Sequence, residues 1–213
     1  MLAGVGENGS IDRSDSAQTF VTGTNPTNYI MYSGKLWRAV SIDPSDNSVK
    51  LITQDTVATM AYNSSDNSTF ADSSIDTWLN DTTTGFLSTL EEPTKYLKTD
   101  SIWDNTATTT DMRSLSRPAG TVTFTRPVGL LSTYEVQQSY VGTVYEEGYI
   151  QNQTDWWTMT PYNSIQVWVI HTSYPLNASA TTEQGVRPAI NLKSEVVIVS
   201  GSGTQQDPYV IAI

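Results

Sequence analysis

A chain of 213 residues with six Trp and eleven Tyr has material for one large domain, since each large ring buries about 150–250 Å². Its 22 acidic against 11 basic residues give a net charge of −11, which argues against nucleic acid or an anionic membrane surface as partner. With no cysteine, a disulfide scaffold, a thiolate metal site and cysteine-based catalysis are excluded.

Residues 1–27 are rich in Gly, Ser and Asp without periodicity, and read as an N-terminal arm or linker before a single domain over 28–213. From Tyr29 the pattern is β-rich: Tyr29-Ile30-Met31-Tyr32 and Leu36 to Ile42 flank Ser33-Gly34-Lys35, a hairpin signature. Pro44-Ser45-Asp46-Asn47 is a turn, and Ser48 to Thr53 a third strand. Residues 56–73 are polar and loop-like. Ile75, Trp78 and Leu79 then fall at i, i+3 and i+4, one face of a short helix with Ser73 or Ser74 as N-cap. Phe86, Leu87 and Leu90 mark a second helical turn before Pro93.

Residues 98–118 form a long Thr-rich segment anchored to the core by Trp103, and 121–131 have strand character. Ser132 lies three residues before Glu135, the spacing of a capping box on another short helix. Residues 142–154 are a loop carrying Glu146-Glu147. Paired tryptophans, Trp156 and Trp157, open a core hairpin whose second strand is Gln166-Val167-Trp168-Val169-Ile170. A polar loop leads to Gly185-Val186-Arg187-Pro188 and the run Ala189-Ile190-Asn191-Leu192. Glu195 to Val199 and Tyr209 to Ile213 close the chain as a hairpin with a long loop. Many short strands with two or three short helices inserted give an expected fold class of α+β.

The runs N-Y-I-M-Y-S-G-K-L-W-R-A-V (28–40), W-W-T-M-T-P (156–161) and G-V-R-P-A-I-N-L (185–192), with the closing G-S-G-T-Q-Q-D-P-Y-V-I, carry a resemblance. They resemble a domain of unassigned function from surface and pilin-like proteins of Gram-positive bacteria. The closing pattern is also similar to two groups that share a C-type-lectin-like fold: the retroelement-diversified variable proteins and the formylglycine-generating enzymes. The resemblance implies that fold, with short twisted antiparallel strands and long loops, over residues 28–213. Formylglycine-generating chemistry depends on active-site cysteines, and this chain has none.

By that resemblance, Thr158, Thr160, Tyr162, Asn163, Gln166, Trp168 and His171 lie where the diversified proteins contact ligands. Tyr, Asn and Ser offer adaptable hydrogen bonds at low entropic cost. Trp156, Trp157, Trp37, Trp78 and Arg187 are expected to be structural; a guanidinium in an apolar run needs carbonyl or carboxylate acceptors. His171 is the single histidine, so His-rich metal sites and His-dependent triads are not expected. The calcium-dependent sugar signatures of lectins are absent, and no metal or cofactor is expected. Adjacent carboxylates at Glu91-Glu92 and Glu146-Glu147 suit a solvated stretch better than the two sides of a hydrolytic cleft. Asn8, Asn63, Asn67, Asn80, Asn152 and Asn177 head N-x-S/T triplets, a match that composition alone produces.

The expected function is a non-catalytic, extracellular recognition or structural module on a bacterial surface, a pilin-like or adhesin head binding a protein or glycan through 158–184. Any membrane attachment would come through a segment outside this sequence. The alternatives are a hydrolase or oxidase using loop carboxylates, and a purely structural filament subunit assembling through the N-terminal arm.

Overall fold

The computed structural model describes residues 5–110, 116–140, 148–171 and 175–213. The first hairpin is β3 (Tyr29–Tyr32) and β4 (Lys35–Ile42), joined by Ser33 and Gly34. Both turn residues have positive φ, 55° and 66°, the two-residue turn whose twist matches that of the strands it joins. β5 (Val49–Thr53) pairs with β4 and with β14 (Ala189–Leu192), which also takes the short β9 (Val128–Gly129). On the other side, β3 runs parallel to the terminal strand β16 (Tyr209–Ala212), whose partner β15 (Val197–Ser200) forms the sheet edge.

The segment expected to be an arm is instead folded onto this sheet. β1 (Gly9–Asp12) and β2 (Thr19–Gly23) form a hairpin, and β2 pairs with the far end of β4. Val5, Phe20 and Val21 are buried, because this Gly- and Ser-rich stretch still places three apolar side chains against the core. The result is a nine-stranded sheet.

A second sheet has the order β12-β11-β10-β13-β6, from β10 (Trp156–Pro161), β11 (Gln166–Ile170), β12 (Pro175–Ser179), β13 (Glu183–Val186) and β6 (Ala58–Ala61). The expected Trp-lined hairpin is its centre. β6, β12 and β13 fall in stretches read as loops, whose Thr- and Ala-containing runs lack the clean alternation that marks a half-buried strand. β7 (Ile102–Asp104) and β8 (Thr123–Thr125) make a third, two-stranded sheet. Pro127, which has no N–H for a ladder, separates β8 from β9 and breaks the single strand expected there.

Helix is scarce. Among the described residues it comprises α1 (Ser74–Asn80), α2 (Pro93–Tyr96) and α3 (Thr133–Gln138), with a 3-10 turn at Leu87–Thr89. The expected α+β, C-type-lectin-like class is therefore corrected to a β-rich fold of several sheets. Ser, Thr, Asn and Asp compete for backbone hydrogen bonds and stop these helices after one or two turns, while Thr, Val and aromatic residues fill the strands. The helix starts themselves follow the sequence. Ser73 caps α1 by accepting from the Asp76 amide at 3.2 Å, and Ser132 and Glu135 form the reciprocal capping box of α3.

Arg187 is fully buried and ties the two sheets together. Its Nε and Nη2 donate to the Thr53 carbonyl at 2.9 and 2.8 Å, its Nη1 donates to the Ile150 carbonyl, and its guanidinium lies over the Trp156 ring at 4.8 Å. Burial, aided by the nearby Arg38, pulls its pKa down to about 9, still charged at neutral pH.

Candidate functional site

The seven residues expected to face a ligand do not share an open face. Thr158 and Thr160 are buried, and so is Trp168. Thr158 Oγ1 donates to the Trp168 carbonyl at 2.8 Å, and Thr160 Oγ1 accepts from the Thr133 amide at 3.0 Å, bracing the start of α3. Trp168 Nε1 donates to the Thr108 carbonyl at 2.7 Å. This correction follows from position: every residue of β10 is buried, because it is an interior strand with both faces covered. Tyr162, Asn163 and Gln166 sit at the β10–β11 turn, half-buried and largely occupied with one another. Asn163 Nδ2 donates to Gln166 Oε1 at 2.7 Å, and the Tyr162 ring meets Trp168 edge-on at 5.2 Å. His171 lies past the other end of β11, 3.7 Å from Asp155. Of the five residues expected to be structural, Trp37, Trp156, Trp157 and Arg187 are fully buried and Trp78 is half-buried. Glu146-Glu147 and residues 172–174 of the proposed contact loop lie outside the described residues.

A different place gathers polar chemistry. A cavity of about 260 Å³ opens between the large sheet, α3 and β7. Its floor is a row of three side chains set directly across three strands: Ser41 on β4 opposite Lys50 on β5, and Lys50 opposite Asn191 on β14. Opposed residues in a ladder point to the same face, so the row is one polar surface on an otherwise apolar sheet. A β-bulge at Val40 makes the alignment. Ala39 faces Leu51, and the extra residue brings Ser41 to Lys50.

Lys50 meets Glu135 of α3 at 2.5 Å, with side chains 11% and 8% exposed. Glu135 is saturated with donors: its Oε1 takes Lys50 Nζ and Gln18 Nε2, and its Oε2 takes the Ser132 amide and hydroxyl. Burial alone pushes that carboxyl up, but the Lys50 charge and these hydrogen bonds outweigh it and hold the group below the usual glutamate range. Behind Lys50 lies the face of Trp103, 4.6 Å from Nζ to the ring centroid. Trp103 is held flat against Gly129, where a Cβ would stand 2.4 Å from the ring, and its Nε1 donates to the Arg126 carbonyl. At the rim, Lys98 pairs with Asp46 at 2.5 Å, and Arg117 pairs with Asp15 at 2.6 Å while donating to Gln18 Oε1.

None of these residues was read from the sequence as a ligand contact. The available signal was a polar residue inside an apolar run: Lys50 in V-K-L-I-T, Asn191 in A-I-N-L, Ser41 in V-S-I. Among the described residues, no three of His, Cys, Asp or Glu gather as metal ligands would. Residues 47–194 match the model of a family described as a domain of unknown function, DUF6273. No curated protein and no solved structure matches the chain.

Proposed function

The chain belongs to the DUF6273 family, and from that premise we propose that it is a non-catalytic recognition module displayed outside a bacterial cell, as a pilin-like or adhesin head, holding its protein or glycan ligand in the cavity over Ser41, Lys50 and Asn191. The observation that carries this reading is the buried polar row itself. Placing a Lys, a Ser and an Asn on the core face of a sheet costs stability unless their hydrogen bonds are met. Lys50 is met by Glu135 and Ser41 by Gln18, while the Asn191 side chain meets no hydrogen-bonding group of the described residues and is the member of the row that a ligand would complete. The chemistry of the cavity favours binding over hydrolysis. Glu135 is held ionised with both oxygens accepting two donors each, and has neither a proton to give nor a lone pair free to take one. Extracellular placement is supported by the composition, rich in Thr, Ser, Asn and Tyr and poor in Lys.

The test is a glycan and host-protein array probed with the full chain. Asn191→Leu, which fills the cavity floor without removing a hydrogen bond between described residues, is expected to abolish the signal, and Tyr162→Ala to keep it. Retention of every signal by Asn191→Leu would overturn the assignment.

One observation favours the structural-subunit reading. Among the described residues β15 has no strand on the side away from β16, and Val197, Val199, Val210 and Met31 are exposed around it with no ionisable side chain in the strand. In a chain of net charge −11, such an edge is where a second copy meets least repulsion. Sedimentation equilibrium would show concentration-dependent association that Val199→Lys removes; a monomer at all concentrations excludes this reading.

A further inference from the structure

Resting on the cavity reading above, we infer that the ligand group is neutral and hydroxyl-rich, a single saccharide ring or a comparable polyol, seated on Ser41, Lys50 and Asn191. The lining chemistry leads there in three steps. First, charge: among the described residues of the lining, Lys50, Lys98 and Arg117 are matched by Asp43, Asp104 and Glu135, and the two rim cations have further partners in Asp46 and Asp15. An anionic ligand would find its nearest cation already paired with Glu135 and two more carboxylates beside it. A cationic ligand would meet three ammonium or guanidinium groups. Either would be desolvated against like charge.

Second, hydrogen-bond capacity: the groups left over are of both kinds. Of the three Lys50 ammonium donors one goes to Glu135, and the others face the Trp103 ring and the cavity. Asn191 is buried as a residue, lines the cavity, and its carboxamide meets no hydrogen-bonding group of the described residues. Among the described residues, Asp43 and Asp104 each accept through Oδ1 alone, from Ser45 and Thr106 respectively. A lining with spare ammonium and amide N–H on one side and spare carboxylate and amide oxygen on the other suits a group that donates and accepts at every position, which a hydroxyl does.

Third, size: a cavity of about 260 Å³ takes one compact ring. Ile102 and Pro118 supply apolar wall for the C–H faces of such a ring.

The experiment is a ¹H–¹⁵N titration of the full chain with methyl glucoside, methyl galactoside, methyl mannoside and methyl N-acetylglucosaminide. A methyl glucuronoside, glucosamine and N-acetylalanine methylamide serve as charged and amide probes. At least one neutral glycoside is expected to shift the amides of Ser41, Lys50 and Asn191, with affinity lowered about tenfold or more in Asn191→Leu, the equivalent of a lost hydrogen-bonded contact. Shifts at those amides from the glucuronoside, glucosamine or the methylamide, with the neutral glycosides silent, would overturn the ligand class and leave the cavity reading standing. If no probe moves those amides, the ligand class falls; if an array-selected binder also leaves them unmoved, the cavity reading falls with it.

Discussion

Lys50 and Glu135, 85 residues apart, meet at 2.5 Å beneath α3, and Glu135 is the same residue that closes the helix's capping box. One carboxylate thus fixes the start of α3 and the floor of the cavity together. Breaking a buried pair leaves an uncompensated charge, so Lys50→Met or Glu135→Leu alone is expected to cost about 3–5 kcal/mol. The double variant should cost much less than the sum. Urea unfolding of the three variants measures this, and additive losses would show that the two groups do not act as a pair.

Gly129 is set by its neighbour, not by its backbone angle. A Cβ there would stand 2.4 Å from the Trp103 ring, so Gly129→Ala must push the indole off the floor of the site. Overpacking of this kind costs about 1–3 kcal/mol, read by thermal unfolding. The near-ultraviolet circular dichroism should change as Trp103 shifts, and an unaltered spectrum would contradict the contact.

Asp46, at the rim, is depressed from 3.8 to about 2: burial, the largest single effect, raises it, but hydrogen bonds from Lys98 and Ser48 and the Lys98 charge together outweigh it. A carboxyl whose folded pKa lies below its unfolded value stabilises the fold fully above the unfolded pKa, and that share is lost as pH falls through the folded one. Stability of the native chain should therefore drop between pH 3.8 and about 2 more steeply than that of Asp46→Asn. Unfolding curves collected across that window check the difference in slope. Equal slopes would contradict it.

Arg187→Lys should unfold the chain more readily even though charge is kept. A lysine cannot reproduce two N–H groups converging on the Thr53 carbonyl and a third on Ile150. An orphaned buried carbonyl costs about 1–3 kcal/mol, so a loss of that order is expected by chemical denaturation. Unchanged stability would mean that the guanidinium does not hold the two sheets.

What was legible in the sequence was local. The Ser33-Gly34 turn, the Ser73 cap, the Ser132/Glu135 capping box and the Trp156–Ile170 hairpin depend on residues a few positions apart, and the structure has each of them. The fold class was not legible, because β6, β12 and β13 are made strands by partners far along the chain, through pairings such as Gln184 with Met60. The apolar content of residues 5–21 was similarly hidden: Phe20 and Val21 gain meaning only once β4 lies beside them. The site escaped for the same reason. Ser41, Lys50 and Asn191 look like isolated interruptions of three strands, and only register makes them one surface. Thr158, Thr160 and Trp168 erred in the opposite direction: hydrogen-bonding side chains that suggested a ligand are used internally.

The most direct measurement is a crystal structure of the full chain with whichever ligand the array selects. Density for that ligand over Ser41, Lys50 and Asn191, within hydrogen-bonding reach of the Asn191 carboxamide, is the predicted result. Density on the β10–β11 turn around Tyr162 and Gln166, with the cavity floor holding solvent alone, would contradict it.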